Sequence, residues 1–446
     1  MSAAVSPKRF ILGPGLPTAP EAVWTRAARA LLDTIGTAAA GATLPVSKIA
    51  RDHAAGHMGS VTHGVRMLFD GRAVSPAGAA FAGATTIDAF DAHDGHVLTK
   101  GHIGVSVLPT LLGMAELGLL LDGRDFLASY VIGYEIGTRA GIALHRTACD
   151  YHTSGAWGAV ACAALVSRHL KLNWAKTREA LGTAEYHGPR SQMMRCIAWP
   201  TMVKDGSGWG AFSGVTAGFL AAEGYTGAPA VTVEGDDVAD LWSDLGQRWR
   251  ILEQYEKAYP VCRWAQPAVE AVAALRREHG FTHDQIGKLE IHSFANSVAL
   301  NTAAPDSPDA AQYSTPFPVA AFLVRGKLGA AELSGKALKD EEILALSQSI
   351  VLIDDPEFTA KFPAERWARA VVTLKNGKRL ESAPAIARGN PENPLSPEEA
   401  LEKYRDLAGP VLGPRRAHAI EKEVMSLGKK ARPLQPLLDL LLKPAR

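Results

Sequence analysis

Residues 76–90 read PAGAAFAGATTIDAF, a run made almost entirely of small side chains that begins at Pro76. Alanine and glycine at this density let neighbouring helices approach closely, which favours a helical interior over a sheet. Residues 21–41 also place apolar side chains at helical spacing, and small-residue segments follow residues 153 and 204. The chain up to about residue 270 is therefore predicted to be a succession of close-packed helices.

The pattern changes further along the chain. Residues 288–294, KLEIHSF, alternate like a half-buried strand, and residues 368–383 predict a hairpin with Asn376-Gly377 at its turn. A helix is then predicted to start at Ser396. We therefore predict a mainly α fold, in which a large all-helical domain comes from both chain ends and a smaller α+β lid domain is inserted, with the limits 1–269, 270–395 and 396–446.

The charges of the chain are balanced, with 47 Lys and Arg residues against 46 Asp and Glu residues. A nucleic-acid-binding protein would need a basic excess or a basic stripe, so we expect no such partner. The apolar run 103–121 contains Ser106, Pro109 and Glu116, which favours a buried helix over a membrane span. The sequence starts without a signal-peptide pattern and its four cysteines lack CxxC spacing, so we expect a cytoplasmic protein with free buried thiols.

Several common enzyme motifs are absent. The sequence has no Walker A, GxSxG, HExxH or strand-associated GxGxxG motif, which argues against nucleotide-binding, serine-hydrolase and zinc-protease classes. Asp91, His93, His96 and His102 could in principle bind zinc, but their Asp-x-His-x-x-His spacing does not match a familiar metal mechanism. We therefore predict no metal site.

The segment DAFDAHDGHVLTKGHIG, residues 88–104, is where titratable groups are densest. Such a polar island between apolar segments must be satisfied by partners or be used. The functional interpretation is proton transfer, with a histidine or carboxylate as base and a cationic side chain holding the resulting charge. The structural alternative is helix capping by the aspartates and a histidine bonded to a backbone carbonyl. The interleaved glycines favour function, and the candidates are Asp91, His93, Asp94, His96, Lys100 and His102, with Asp88 interpreted as the end of the preceding helix.

Three further side chains are candidates. His152 stands just before a predicted helix start, where free N–H groups would welcome an anion. Lys204 precedes another small-residue helix, in KDGSG, and can bind a carboxylate. Arg263 lies between apolar residues and needs a partner if it is buried. The structural alternatives are a capping or core histidine and a solvated surface lysine.

A series of motifs runs through nearly the whole chain: LLDTIGTAAAG, DAHDGH followed by KGHIGVSVLP, DYHTSGAWGA, MVKDGSGWGAFSG, YEKAYPVCRW, AQYSTPFPVAAFLVRG and RGNPENPLSPEE. Each motif is modest, but together and in this order they resemble the MmgE/PrpD family. The resemblance implies a helical domain formed from both chain ends, an α+β lid domain, and an active cleft between them. It also implies a homodimer that requires neither a metal nor an organic cofactor.

The resemblance further implies which residues act. The shared first step of the family is abstraction of a proton α to a carboxylate in a compact polycarboxylate. The catalytic positions carried over are Asp91, His102, His152 and Lys204. We expect the substrate-binding residues to be His93, Asp94, His96, Lys100 and Arg263.

One departure from the family pattern bears on the reaction. Where dehydratase and decarboxylase members read Asp-Phe-Asp-Asp-Thr, this chain reads Asp91-Ala92-His93-Asp94-Gly95. The threonine is absent and a histidine is added, and length and pattern are most similar to the iminodisuccinate epimerase branch. We therefore predict a cofactor-independent epimerase of a small polycarboxylate, with iminodisuccinate as the best candidate. The alternatives are a hydro-lyase like 2-methylcitrate dehydratase, a decarboxylase of cis-aconitate, and a non-catalytic binding homologue.

Overall fold

A computed structural model describes residues 5–16, 18–429 and 431–445. Most of these residues are helical, which confirms the mainly α prediction. In chain order the helices are α1 (Pro7–Leu12), α2 (Glu21–Gly41), α3 (Pro45–His57), α4 (Pro76–Asp88), α5 (Gly104–Glu116), α6 (Gly123–Thr147), α7 (Gly155–His169), α8 (Trp174–His187), α9 (Met193–Ala198), α10 (Ser207–Glu223), α11 (Val231–Glu234), α12 (Gln266–His279), α13 (Ala295–Val298), α14 (Pro308–Gln312), α15 (Pro316–Arg325), α16 (Glu341–Ser349), α17 (Pro356–Lys361), α18 (Pro397–Leu412), α19 (Pro414–Val424) and α20 (Gln435–Leu441). The strands are β1 (Val65–Arg66), β2 (Ala73–Val74), β3 (Gly95–His96), β4 (Gln254–Tyr255), β5 (Ile286–Ser293), β6 (Ile350–Asp354), β7 (Ala368–Leu374) and β8 (Arg379–Glu381).

The chain divides into two compact units. The first contains the residues up to Met193, Lys204–Tyr255 and the residues from Ser396 onward, and the second contains Met194–Val203 and Glu256–Leu395. The domain limits predicted from the sequence, and the role of residues 270–395 as a lid, stay predictions. None of the described helices is long and apolar enough to cross a lipid bilayer.

Helix α6 lies in the core of the first unit. Its side chains from Phe126 to Leu144 are all buried, including Glu135 and Arg139, which pair with each other. Arg139 also bonds to the carbonyl of Leu241, so the buried charges attach a later irregular segment to α6. Burial of a helix on all sides explains why its sequence has no wide polar face.

Helices α7 and α10 pack against each other at backbone distance. Gly210, Gly214 and Gly218 recur every fourth residue of α10 and therefore share one face. A Cβ atom added at Gly214 would lie 2.2 Å from the carbonyl oxygen of Ala159, and one at Gly210 would lie 2.3 Å from that of Gly155. These contacts are the close approach that the small-residue segments predicted.

Three details of the first unit differ from the sequence predictions. It is not strictly helical, because β1 pairs with β2 and β3 pairs with β4 in short antiparallel ladders. The helix predicted over 103–121 ends earlier, at Glu116, because residues after it turn and Gly118 adopts a φ of 74°. In addition, one of the four cysteines, Cys149, is exposed rather than buried.

The second unit contains a four-stranded sheet with the order β6-β5-β7-β8. Strands β5 and β6 are parallel, while β7 is antiparallel to both β5 and β8. The β7–β8 hairpin turns at Asn376-Gly377 as predicted, with a φ of 87° at Gly377. Helix α12 packs on β7 and also against α15.

Candidate active site

The polar segment 88–104 forms the connection between α4 and α5 in the first unit, and its acidic and imidazole side chains are buried. Neighbouring elements hold this connection at both side-chain and backbone atoms. Tyr134 of α6 donates a hydrogen bond to Asp94 Oδ2 at 2.7 Å, and Lys403 of α18 donates to the carbonyl of Ala92 at 2.7 Å. The pairing of β3 with β4 adds a third attachment. Most of the segment is therefore held in the core of the first unit, and Leu98 is its exposed residue.

His102 lies among three carboxyl-bearing residues. Its Nδ1 contacts the backbone carbonyl of Asp94, an acceptor, so Nδ1 carries a proton. In the neutral ring, Nε2 then has the lone pair that a base needs. Nε2 lies 4.0 Å from Asp91 Oδ1 and 3.8 Å from Asp205 Oδ2, and either carboxylate can stabilise the protonated ring. A bond to a backbone carbonyl was the purely structural role that the sequence offered for His102. This bond is present, and it is compatible with a role of Nε2 in proton transfer.

Asp205 and Ser154 complete this arrangement. Ser154 Oγ donates to Asp205 Oδ2 at 2.7 Å and accepts the backbone N–H of His102 at 2.9 Å. Burial raises the pKa of Asp205, and the charge of His102 opposes that shift. Neither residue was among the sequence candidates. A signal was available, because Asp205 directly follows Lys204 and Ser154 lies two residues after His152, each just before a helix.

A second carboxylate–imidazole contact joins Asp88 and His93. Asp88 is the last residue of α4, as predicted, yet its side chain is buried with Oδ1 3.5 Å from His93 Nε2. Burial raises its pKa to about 6, against the opposing charge of Lys204 and a hydrogen bond from the backbone N–H of Ser207. The rings of His93 and His102 meet edge to face with centroids 4.0 Å apart. Asp88 therefore belongs to the same cluster as His93 and His102. From the sequence, Asp88 was interpreted only as the end of a helix, and this contact was missed.

Lys204 is buried beside this cluster and was correctly placed before a small-residue helix. Its backbone has a φ of 46°, and Gly206, which caps α10, has a φ of 64°. A non-glycine residue in the left-handed region is uncommon and is often found at functional positions. The charge of Lys204 acts on Asp88.

His152 precedes α7 as predicted, and both of its ring nitrogens contact oxygen acceptors. Nδ1 is 3.1 Å from the carbonyl of Arg190, and Nε2 is 2.9 Å from Asp150 Oδ1. These two contacts fix the orientation of the ring between Arg190 and Asp150. The rings of His145 and Trp157 connect His152 to His102, because Trp157 Nε1 donates to the carbonyl of His102.

Two of the predicted substrate-binding residues already have contacts within the first unit. His96 Nδ1 accepts the N–H of Leu98, and Nε2 donates to Glu253 Oε2 at 3.1 Å. Burial lowers the pKa of His96, which keeps the ring neutral. The Lys100 ammonium lies over the ring of Tyr151, 4.8 Å from its centroid. Their roles in substrate binding stay predictions.

Arg263 belongs to the second unit. Its guanidinium donates to the side chain of Gln266 at 2.9 Å and to the carbonyls of Arg388 and Ala387 at 2.9 and 3.3 Å. These bonds attach the segment after β8 to the start of α12. The sequence predicted that a buried Arg263 would need a partner, and most of its partners are backbone carbonyls. Its role in substrate binding stays a prediction.

The fold also brings together a set of side chains that could bind a metal. One ligand atom each from Asp91, His93 and His102 lies within 4.8 Å of the others, and all three residues are buried. These are three of the four side chains that were considered as zinc ligands from the sequence before no metal site was predicted. Their spacing gave no support, because His102 returns to the other two only through the turn at residues 97–101.

A buried cluster of imidazoles, carboxyls and a lysine on a helical scaffold is the arrangement of an acid–base enzyme. Comparison with known families agrees. The MmgE/PrpD N-terminal domain matches residues 8–247, and the MmgE/PrpD C-terminal domain matches residues 259–429. The chain belongs to the MmgE/PrpD family, as its motifs predicted.

Characterised relatives are similar over most of their length. A cis-aconitate decarboxylase of Aspergillus terreus is 26% identical over 466 aligned residues, which cover 96% of this chain and 93% of the relative. The human cis-aconitate decarboxylase is 25% identical, covering 90% of this chain and 87% of the relative. A cis-aconitate decarboxylase-like protein, oryM, of Aspergillus oryzae is 24% identical, covering 81% of each chain. The family and these relatives point to an enzyme, and the names of the relatives are those of decarboxylases rather than isomerases.

Proposed function

We propose that this protein is a lyase that decarboxylates a small polycarboxylate of the cis-aconitate type, with His102 as the proton-transfer group. The observation that carries the proposal is the environment of His102. Its Nδ1 proton is held by the Asp94 carbonyl, and its Nε2 is near the carboxyl groups of Asp91 and Asp205. The names of the relatives support a decarboxylase, which was an alternative in the sequence prediction.

The chemistry needs a proton at a defined place. Loss of CO2 breaks a carbon–carbon bond and leaves its electron pair on the remaining skeleton. A protonated His102 can donate the Nε2 proton to the carbon that takes up this pair, and Asp91 and Asp205 favour the protonated ring before the transfer. Lys204 supplies positive charge for the carboxylates of the substrate, and His152 supplies a further imidazole that can bind or transfer a proton. Burial strengthens each of these electrostatic contributions.

A second candidate is the epimerase predicted from the sequence, acting on iminodisuccinate. The observation that favours it is His93, a second imidazole in ring contact with His102 and close to Asp88. An epimerase must remove a proton and return it on the opposite face, which needs two groups or one mobile group. His93 gives this chain an imidazole where the decarboxylase pattern has an aspartate.

One experiment separates these candidates. The protein is incubated in D₂O with cis-aconitate, 2-methylcitrate or iminodisuccinate, and the protons of each acid are followed by NMR. We expect CO2 loss with deuterium incorporated into the product. Deuterium exchange with inversion and no loss of CO2 would favour the epimerase, and loss of water would favour a dehydratase. Binding of all three acids without any reaction would reject the enzyme proposal.

Variants test the site. His102→Ala, His152→Ala and Lys204→Ala should each lower kcat by orders of magnitude, because each removes a proton carrier or a positive charge from a buried site. Circular dichroism should show an unchanged helical content. Near wild-type rates in two of these three variants would mean that the site lies elsewhere.

A further inference from the structure

Asp91, His93 and His102 form a potential three-ligand metal site. Their ligand atoms lie within 4.8 Å of one another, and His102 Nε2 is 4.0 Å from Asp91 Oδ1. Two imidazoles and one carboxylate are a ligand set that zinc uses in sites with a fourth, open position. The chemistry of the set therefore suits a borderline-soft divalent metal.

The distances between the three ligand atoms are somewhat longer than the distances between ligand atoms around a bound metal. Zinc holds imidazole nitrogen and carboxylate oxygen at about 2.0–2.2 Å, which places tetrahedral ligand atoms about 3.4 Å apart. No pair of the three ligand atoms, which lie within 4.8 Å of one another, would need to approach by more than about 1.4 Å. Rotation about the torsions of Asp91 and His93 can supply this change, because both follow α4 in an irregular turn.

The surroundings orient these imidazoles in the way that metal sites do. A metal-binding histidine almost always donates its other N–H to a carboxylate or a backbone carbonyl. His102 donates Nδ1–H to the carbonyl of Asp94, which directs Nε2 toward Asp91. His93 has the Asp88 carboxyl 3.5 Å from its Nε2. This outer layer is independent of the three-ligand geometry and points to the same use.

The charges of the cluster favour a cation as well. Asp88, Asp91, Asp94 and Asp205 are all buried in this part of the first unit. Buried carboxylates require compensation by a proton or a positive charge. A divalent ion between Asp91 and the two imidazoles would supply that charge directly.

We propose that Asp91, His93 and His102 form a binding site for a first-row divalent metal such as Zn²⁺, and that the bound metal stops proton transfer. The second half rests on the proposed function, because a metal on His102 Nε2 occupies the lone pair that would carry the proton. Zn²⁺ would then be a reversible inhibitor, removed by a chelator. No electron transfer or bond breaking in the substrate is involved.

Cobalt provides a readout that does not depend on activity. The full-length protein is stripped with EDTA, dialysed and titrated with CoCl2, and the visible absorption of low-coordinate cobalt is recorded. We expect one cobalt ion per chain, displaced by Zn²⁺. His93→Asn and Asp91→Asn should each weaken binding by about 100-fold. His93→Gln serves as a second variant if His93→Asn fails to fold.

A surface histidine pair is the control. His53 and His57 are exposed on the last turns of α3 with ring centroids 4.9 Å apart, a spacing that can also chelate metals. The His53→Asn/His57→Asn double variant should bind cobalt like the wild type. Loss of binding in that variant, or unchanged binding in His93→Asn and His93→Gln, would overturn the proposal.

Activity gives the second readout. If the protein decarboxylates an acid in the D₂O experiment, Zn²⁺ should abolish turnover and EDTA should restore it. Turnover that Zn²⁺ leaves unchanged or increases would overturn the inhibitory role. Cobalt binding that depends on His93 in a protein without turnover would reject the proposed function and keep the metal site. Turnover without cobalt binding would reject the metal site and keep the proposed function.

Discussion

Removal of one hydroxyl group, in Ser154→Ala, tests the candidate site most directly. Ser154 is buried and connects Asp205 to the backbone of His102 through bonds of 2.7 and 2.9 Å. Alanine keeps the backbone and the Cβ atom, so the change removes only these two bonds. The Asp205 carboxyl loses a donor, and the His102 N–H loses its acceptor.

The magnitude follows from the two groups left behind. A buried polar group without a partner costs about 1–3 kcal/mol, and hydrogen bonds to charged groups are at the upper end. The Ser154 hydrogen bond also lowers the pKa of Asp205, so its loss raises that pKa further. We expect a free energy of unfolding lower by about 2 kcal/mol. Because a higher pKa of Asp205 weakens the negative charge that stabilises the His102 imidazolium, kcat should fall by about 10-fold to 100-fold.

The assay compares kcat and Tm with those of a matched control. Ser129 is also a buried serine of the first unit, and its hydroxyl bonds to His169 Nε2 at 3.1 Å. Ser129→Ala should lower Tm to a similar extent and leave kcat and its pH profile unchanged. If Ser154→Ala and Ser129→Ala lose stability equally and both keep wild-type kcat, the network around His102 has no catalytic role.

Three further predictions concern stability. Burial raises the pKa of Asp88 from an ordinary 3.8 to about 6. The protonated carboxyl therefore stabilises the fold fully below pH 3.8, and this contribution is lost as the pH rises through about 6. The wild-type free energy of unfolding should therefore fall by on the order of 3 kcal/mol across this pH range, and Asp88→Asn should remove most of this fall. Curves of Tm against pH that run parallel for the variant and the wild type would contradict the prediction. Gly214→Ala should lower Tm through about 1–3 kcal/mol of overpacking, whereas Gly113→Ala, whose Cβ meets nothing within 4 Å, should raise it or leave it unchanged. Tyr134→Phe removes the donor to Asp94 and should cost about 2 kcal/mol in chemical unfolding; a stability equal to wild type would show that this bond is not needed.

Local signals predicted the elements that depend on neighbouring residues. Ser396 was expected to start a helix, and it caps α18 with its side chain while Glu399 returns a bond to its N–H. Asn376-Gly377 was expected to form a hairpin turn, and it does. In both cases the physical cause lies within a few residues, so the sequence contains the whole signal.

The parts that were missed depend on residues far apart in the chain. Gly95 pairs with Tyr255, and Lys403 reaches the carbonyl of Ala92, and nothing local indicates either contact. Asp205 was overlooked because only its position beside Lys204 is visible in the sequence, whereas its contact with His102 is not. A carboxylate gains its role here from being packed next to His102, and a sequence without its fold does not contain that distance.

The glycine face of α10 has a consequence for engineering the protein. Ser154 and Asp205 lie at the starts of α7 and α10, and the two helices touch through Gly210, Gly214 and Gly218. Larger side chains along this contact would push the helices apart and change the spacing of the residues at their starts. Libraries that seek a new substrate should therefore leave these glycines unvaried. Random mutagenesis should conversely recover slow or heat-sensitive variants there.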